Sequence, residues 1–175
     1  MKNYNALDIL NAREERVYLI EELIEKYSLS IVCLRINFPG EIKNNDLTSN
    51  ISKVLREEIS NIFRDYVLYE DFKFTAEGPL LILVVNEDAS IVKKKTIELE
   101  ENHLLGRLGD IDVYDKDGNG ISRKDLGYLS RKCFICSDMA QNCVRAQKHS
   151  IDEVIKFIQE RYIKYLNKEA EKTDD

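Results

Sequence analysis

The sequence predicts an α+β fold: a single domain in which a mixed or antiparallel sheet is covered by helices. Helical and strand-like apolar patterns alternate along the chain, and two of the strand segments adjoin across a short turn, which favours antiparallel pairing. With 175 residues, 43% of them hydrophobic, the chain can build one compact core. We assign the domain to residues 1–167 and expect residues 168–175 to form a frayed C-terminal tail.

The first half of the chain starts with a helix, a strand and a second helix. Apolar spacing predicts a helix over Leu7–Tyr27, with Asn5 as its N-cap. The β-branched run Ser30–Phe38 predicts a buried strand, which Pro39–Gly40 terminates. Asp46–Tyr66 carries the longest amphipathic pattern in the sequence, so we expect it to cover the core.

Two strands and a third helix follow. Val67–Thr75 and Leu80–Asn86 have strand character, and we place the turn between them at Gly78–Pro79. The second strand is apolar on both faces, which predicts a central position in the sheet. Asp88 can cap a helix over Ala89 to about Glu101.

The segment from His103 to Ser122, HLLGRLGDIDVYDKDGNGIS, contains the main candidate site. Asp110 and Asp112 are two residues apart, so in a strand both carboxylates lie on one face. Such a pair repels itself unless a cation, an arginine or water compensates it. Two carboxylates on one face suit Mg²⁺, and an Asp-x-Asp pair suits reactions at phosphorus.

The neighbours of the aspartates fit a phosphate ligand. Arg107 can donate two hydrogen bonds to a phosphate, and Gly106 lets a polyphosphate approach the backbone. Ser122 and Arg123 follow the next turn and could return to the same side of a hairpin. As a bare motif, the aspartate pair also occurs by chance on surface strands.

The sequence DKDGNG over residues 115–120 resembles the start of a calcium-binding loop. The twelfth loop position, however, is Leu126, where such loops need a bidentate glutamate. A tight hairpin turn is therefore the better interpretation.

A group of zinc-type ligands precedes the closing helix. They are Cys133, Cys136, Cys143 and His149. The Cys-x2-Cys spacing is typical of a zinc half-site, whereas the second pair is more loosely spaced. Buried cysteines under a helix are the alternative. Ser150 and Glu153 form a capping box that predicts the start of the last helix.

Composition limits the possible partners. The chain has 26 Lys and Arg against 32 Asp and Glu, a formal net charge of −6. This balance argues against nucleic acid or an anionic membrane as a partner. The first residues lack the apolar core of a signal peptide, and no apolar run approaches the ~20 residues of a membrane span. We expect a cytoplasmic protein.

Several motifs together resemble one family. They are H-x-L-G-R-L-x-D-I-D-V, then I-S-R, R-x-C-x-x-C and C-x-R-x-x-x-H-S, with I-L-N-A-R-E-E-R, N-F-P-G and E-G-P-L-L-I-L-V-V earlier in the chain. This series, which covers nearly the whole chain, is similar to the citrate lyase holo-acyl-carrier-protein synthases, also called apo-citrate lyase phosphoribosyl-dephospho-CoA transferases. One departure is Leu104–Leu105, where the family pattern has a proline.

The resemblance implies a nucleotidyl transfer. The family moves the 2'-(5''-phosphoribosyl)-3'-dephospho-CoA group from its triphosphate donor, triphosphoribosyl-dephospho-CoA, to a serine of the citrate lyase acyl carrier subunit and releases pyrophosphate. Asp110 and Asp112 would then hold Mg²⁺, and either of them or His103 would accept the serine proton. Arg107 would stabilise the transferring group. Arg13, Arg16 and Arg123 become candidate triphosphate contacts, although Arg13 and Arg16 also fit a solvated helix face.

Two alternatives remain open on sequence grounds. One is a nucleotidyltransferase for another carrier, such as that of malonate decarboxylase. The other is a non-catalytic assembly module stabilised by zinc. Because carrier proteins are commonly acidic, a transferase needs a basic docking cluster, for which Lys93–Lys95 or Arg131 and Lys132 are the candidates.

Overall fold

The computed structural model describes residues 4–173, and it confirms the α+β class. One four-stranded sheet is combined with five helices in this part of the chain. In chain order the elements are α1 (Ala6–Tyr27), β1 (Ser30–Ile36), α2 (Asp46–Ile62), β2 (Val67–Thr75), β3 (Gly78–Val85), α3 (Ala89–Asn102), β4 (Gly109–Tyr114), α4 (Ala140–Arg145) and α5 (Ile151–Thr173). Short 3₁₀ turns precede β4 and follow it, at Gly106–Leu108 and Lys124–Leu126.

The sheet has the order β2-β3-β1-β4, and every neighbouring pair is antiparallel. β3 is buried along its whole length, which confirms its predicted central position. The predicted turn at Gly78–Pro79 is wrong, because both residues already pair with β2, opposite Thr75 and Phe74. The turn consists of Ala76 and Glu77 instead, and Gly78 enters β3 at a φ of 109°, which glycine adopts without strain.

Helices cover both faces of the sheet because β1 and β3 are apolar on both sides. On one face, α1 packs its Ile20 and Leu23 against Ile31 and Cys33 of β1. On the other face, α2, α3 and α5 form the larger core. That core contains, among others, Val32, Leu34, Ile51, Leu55, Leu81, Leu83, Ile111, Val113 and Ile158. The side chains of β1 therefore alternate between two separate apolar layers.

The helix ends follow local chemistry. Asn5 caps α1 as predicted, since its Oδ1 accepts from the backbone N–H of Leu7 and Asp8. The second helix ends at Ile62 rather than at the predicted Tyr66. The Tyr66 carbonyl accepts a hydrogen bond from the Asn86 N–H, so the chain has already turned towards β2.

The last helix begins with the predicted capping box. The backbone N–H of Ser150 donates to Glu153 Oε2 at 2.7 Å, and that of Glu153 donates to Ser150 Oγ at 3.2 Å. α5 continues to Thr173, and the expected frayed tail over residues 168–175 stays a prediction. Residues 168–172 are mostly strong helix formers, and Lys172 pairs with Glu169 at 2.7 Å. Residues 174 and 175 lie outside the described range.

Candidate active site

The edge strand β4 places two carboxylates side by side. Ile111 and Val113 are buried, whereas Asp110 and Asp112 are half-buried on the opposite face. The predicted common face for the two aspartates is therefore confirmed. It is the face on which α1 packs, because Asp112 lies opposite Cys33 in the antiparallel register.

An arginine of the neighbouring strand compensates the two carboxylates. Arg35 Nη2 lies 2.5 Å from Asp110 Oδ2 and 2.8 Å from Asp112 Oδ2. Burial of Arg35 by itself would lower the pKa of its guanidinium. The charges of Asp110 and Asp112 outweigh this effect, so the pKa lies above its ordinary value. Sequence reasoning missed Arg35. Its only signal was a lone charge in the apolar run SIVCLRI, and the β1–β4 register was needed to interpret it.

A buried carboxylate of α3 collects two further arginines beside this pair. The Glu100 side chain is only 1% exposed, and its Oε2 lies 2.5 Å from Arg123 Nη2. Its Oε1 accepts from Arg131 Nη2. Arg131 also reaches the aspartates, with Nη1 3.2 Å from Asp110 Oδ1. Glu100 was not predicted, because its position in an amphipathic helix gave no sign that it is buried.

The predicted Arg107 belongs to the same wall. Its Nη2 donates to the backbone carbonyl of Lys132, and its Nε is buried without a hydrogen-bond partner among the described residues. Burial, followed by the charges of Arg131 and Arg123, lowers the pKa of its guanidinium from the ordinary value. This crowding of cations favours a negatively charged ligand.

A cleft of about 1300 Å³ connects these groups along the free edge of β4. Its lining includes both aspartates together with Arg107, Arg123 and Arg131, and it extends to the cysteine and histidine cluster. Lys93 lies at the same edge, where its buried Nζ donates to the carbonyl of Ile111 at 2.7 Å. The prediction that Lys93 belongs to an exposed docking cluster is therefore wrong.

The four predicted zinc ligands converge at the far side of this cleft. The ligand atoms of Cys133, Cys136, Cys143 and His149 all lie within 4.8 Å of one another, and the sulfurs of Cys136 and Cys143 are 3.4 Å apart. His149 Nε2 is buried and has no hydrogen-bond partner in the part of the chain described. Thiolate and imidazole groups gathered in this way could hold a metal ion.

The thiols of this cluster differ in acidity. Hydrogen bonds, first from the backbone of Asp138 and then from Cys143, lower the pKa of Cys136 to about 6. Desolvation raises the pKa of Cys143 to about 12, and the hydrogen bond to Cys136 adds to this effect. Shared protons of this kind are typical of closely packed thiols that a metal would fully deprotonate.

Other predicted site residues lie away from the cleft lining. Arg16 forms a buried ion pair with Glu77 of the β2–β3 turn at 2.7 Å, and the exposed Arg13 lies 4.0 Å from the same carboxylate. The His103 ring lies with its centroid 5.6 Å from that of Tyr165 at a tilt of 54°, and its Nδ1 accepts from the Leu105 N–H. Roles for these residues in phosphate binding or proton transfer stay predictions.

Gly106 and Ser122 each make a local contact that suits the residue type found there. Gly106 is buried, and a Cβ there would collide with the carbonyl oxygen of Leu99 in α3. Ser122, which lines the cleft, exchanges hydrogen bonds with Asp125 at the 3₁₀ turn. In the DKDGNG segment, the Asp115 carboxylate accepts from the N–H groups of residues 117 and 119, as expected for the predicted turn.

Together the fold and the cleft define an α+β protein whose antiparallel sheet presents a carboxylate pair to an arginine-rich cleft beside a Cys₃His cluster. A model of the apo-citrate lyase phosphoribosyl-dephospho-CoA transferase family matches residues 5–165. The chain belongs to this family of prosthetic-group transferases, which confirms the resemblance seen in its motifs.

Relatives from several bacteria support the assignment. The chain is 31% identical over 160 residues to a probable apo-citrate lyase phosphoribosyl-dephospho-CoA transferase of Vibrio cholerae, covering 89% of this chain and 90% of that protein. It is 30% identical over 153 residues to the Escherichia coli O7:K1 transferase of the same name, covering 85% and 82%.

A longer relative is also similar. Protein CitXG of Haemophilus influenzae is 34% identical over 154 residues, which cover 86% of this chain. The chain spans about a third of the length of that protein. Within residues 4–173, no helix is long and apolar enough to cross a membrane.

Proposed function

We propose that this protein transfers the 2'-(5''-phosphoribosyl)-3'-dephospho-CoA group from its triphosphate donor to a serine of the apo-citrate lyase acyl carrier subunit, in the cytoplasm. The family assignment supports the reaction class. The main support for the site is the pairing of Asp110 and Asp112 on one face of β4, in a cleft that Arg107, Arg123 and Arg131 also line. Such a cleft has the charges that a triphosphate requires.

The chemistry is a displacement at the α-phosphorus. The serine Oγ forms the new P–O bond, the bond to the pyrophosphate group breaks, and the serine proton passes to a base. Pyrophosphate leaves with the electron pair of the broken bond. Arg107 and Arg123 line the cleft and would hold the departing phosphates, and Asp110 or Asp112 of the same lining would accept the proton.

The two aspartates fit a hard divalent cation, because carboxylate oxygens are the ligands Mg²⁺ prefers. Asp110 and Asp112 would hold the ion, and it would supply charge neutralisation at the phosphate oxygens. Their Oδ2 atoms are engaged by Arg35, so a cation held by these carboxylates would compete with this guanidinium.

The Cys₃His cluster fits zinc in a structural role. Three cysteines and one histidine would supply the four ligands of a structural zinc ion and would leave no ligand position for a substrate. The metal would hold the segment 131–149 together, since this segment has few buried side chains of its own. Metal analysis of the purified protein tests this directly, and substoichiometric zinc in freshly isolated protein would contradict it.

The decisive test is the mass of the carrier. Incubation of apo-carrier with the donor and Mg²⁺ should increase the carrier mass by one phosphoribosyl-dephospho-CoA group, with release of one pyrophosphate. Asp110→Asn and Asp112→Asn should each reduce the rate at least about 100-fold, because loss of a ligand costs more than loss of its supporting contacts. Asp117→Asn is the matched control, since Asp117 is exposed in the turn and its carboxylate pairs only with Lys116 within residues 4–173.

The same assay separates the alternatives. Modification of a malonate decarboxylase carrier in preference to the citrate lyase carrier would overturn the proposed acceptor. A protein with stoichiometric zinc that modifies neither carrier would favour the assembly module. Near-normal rates in either aspartate variant would contradict the Mg²⁺ assignment.

A further inference from the structure

One wall of the cleft carries more positive charge than its own carboxylates compensate. Arg107, Arg123 and Arg131 meet there, and Glu100 is the only buried carboxylate that pairs with them in the described chain. Glu101 also pairs with Arg123, but its side chain is 49% exposed at the rim. Arg107 has a carbonyl partner and a buried Nε with no partner among residues 4–173. The wall is thus prepared for an anion.

Arg131 occupies a particular place on this wall. Its Nη2 is held closely by Glu100, whereas its Nη1 makes a longer contact of 3.2 Å with Asp110 Oδ1. The guanidinium therefore lies between the buried glutamate and the aspartate pair, with one nitrogen firmly fixed and the other held more loosely. A phosphate oxygen can replace the Asp110 contact without disturbing the bond to Glu100.

The backbone of Arg131 is fixed by the cysteine loop. Its carbonyl accepts from the Ala140 N–H at 2.9 Å, and the Cys133 N–H donates to the Asp138 carbonyl at 2.7 Å. An isolated bridge pairs Lys132 with Met139 between these two bonds. The Lys132 carbonyl is also the acceptor for Arg107. The short ladder that carries the Cys-x2-Cys pair thus sets the positions of two arginines.

We propose that Arg131 binds the phosphates of the donor, and that Glu100 and the Cys₃His loop are the two elements that position it. The inference rests on the proposed function, since it names a further binding residue of that site. The proposal also gives the Cys₃His cluster a definite role. A bound metal would close the loop that carries Arg131 and the Lys132 carbonyl, to which Arg107 donates.

Binding of inorganic pyrophosphate, measured by isothermal titration calorimetry on the zinc-loaded protein, tests the role of Arg131. Arg131→Met should weaken pyrophosphate binding at least 10-fold, and Arg131→Lys should recover only part of it, because lysine lacks the planar fork. Glu100→Gln keeps the shape but weakens both ion pairs, so we expect a several-fold loss. Arg64→Met is the matched control, because Arg64 is exposed and, among the described residues, its side chain bonds only to Asn61.

Removal of the metal tests the role of the loop. The protein is treated with a chelator, its zinc content is measured before and after titration, and its far-ultraviolet circular dichroism confirms that the helices persist. Pyrophosphate affinity should fall to about the level of Arg131→Met and return on zinc reloading. In the Arg131→Met background, chelation should then have little additional effect.

These outcomes decide the inference separately from the proposed function. Wild-type pyrophosphate affinity in Arg131→Met overturns the role of Arg131, whatever the carrier assay shows. Unchanged affinity after metal removal overturns the role of the loop. If pyrophosphate binding depends on Arg131 but neither carrier is modified, the binding role stands and the proposed transfer reaction fails.

Discussion

Arg35 of β1 and Asp110 of β4 face each other across an antiparallel strand pair, with Arg35 Nη2 2.5 Å from Asp110 Oδ2. The same nitrogen lies 2.8 Å from Asp112. The protein thus carries an internal cation at the place where the proposed Mg²⁺ would bind. Arginine and metal ion should compete for the same two carboxylates.

This competition can be measured through stability. In Arg35→Met, Asp112 loses its arginine partner and Asp110 keeps only the 3.2 Å contact with Arg131, so the free energy of unfolding should fall by about 1–3 kcal/mol in the absence of divalent cations. Millimolar Mg²⁺ should restore part of this loss, whereas the wild-type protein should respond little. Urea unfolding with and without Mg²⁺ provides the comparison.

Arg56→Met is a suitable control for that experiment, because Arg56 of α2 is more exposed than Arg35 and pairs with Glu70 of β2, at the opposite edge of the sheet. It should cost no more than about 1 kcal/mol and show no response to Mg²⁺. A loss in Arg35→Met that Mg²⁺ does not relieve would argue against the aspartates as metal ligands.

Gly106 should not tolerate even one added methyl group. In Gly106→Ala the Cβ would overlap the Leu99 carbonyl oxygen and lie 2.8 Å from Glu100 Cα, both in the backbone of α3. We expect a loss of about 3 kcal/mol in unfolding free energy. Gly120→Ala, whose nearest neighbour is Tyr114 Cε1 at 3.9 Å, should change stability by less than about 1 kcal/mol. Equal losses in the two variants would contradict this packing argument.

The cysteines should differ in reactivity once metal is removed. At pH 7 Cys136, with a pKa of about 6, is mostly thiolate, whereas Cys143 and the buried Cys33 have pKa values of about 12. Iodoacetamide should therefore label Cys136 first in the metal-free protein, as peptide mass analysis can show. Zinc should protect it. Equal labelling rates at Cys136 and Cys143 would be inconsistent with these acidities.

His103 should make stability depend on pH. Burial lowers the pKa of His103 below its ordinary value of 6.5, and nearby Glu58 and Glu169 only partly oppose this. The unfolded chain therefore takes up a proton at a higher pH than the folded chain does, and stability falls as pH decreases from above 6.5 through the lower pKa of the folded state. His103→Asn should lack this component in urea unfolding between about pH 5 and pH 8. Parallel pH curves for variant and wild type would disprove it.

The sequence was sufficient where the chemistry is local. The alternation around Ile111 placed both aspartates on one face, and the Asn5 and Ser150 caps marked where two helices begin. Ligand type alone grouped the three cysteines and His149, although their spacing is irregular. In each case, neighbouring residues along the chain contain the information.

The missed residues depend on contacts between distant segments. Arg35 is a site residue only because β1 pairs with β4, and Glu100 only because two arginines from the segment after β4 fold back onto α3. The turn at Ala76–Glu77 was misplaced because Gly78 and Pro79, normally turn residues, are tolerated at the start of a strand. Composition cannot reveal such long-range choices.

The strand order has a consequence for the newly synthesised chain. β1 is made before either of its neighbours, β3 and β4, whereas β2 and β3 are joined by a tight turn. We therefore expect the β2–β3 hairpin to form first and β1 to remain without a partner until β3 has been made. In that interval Arg35, the one charged residue of SIVCLRI, is the residue that opposes aggregation of this apolar segment, before it ever meets an aspartate.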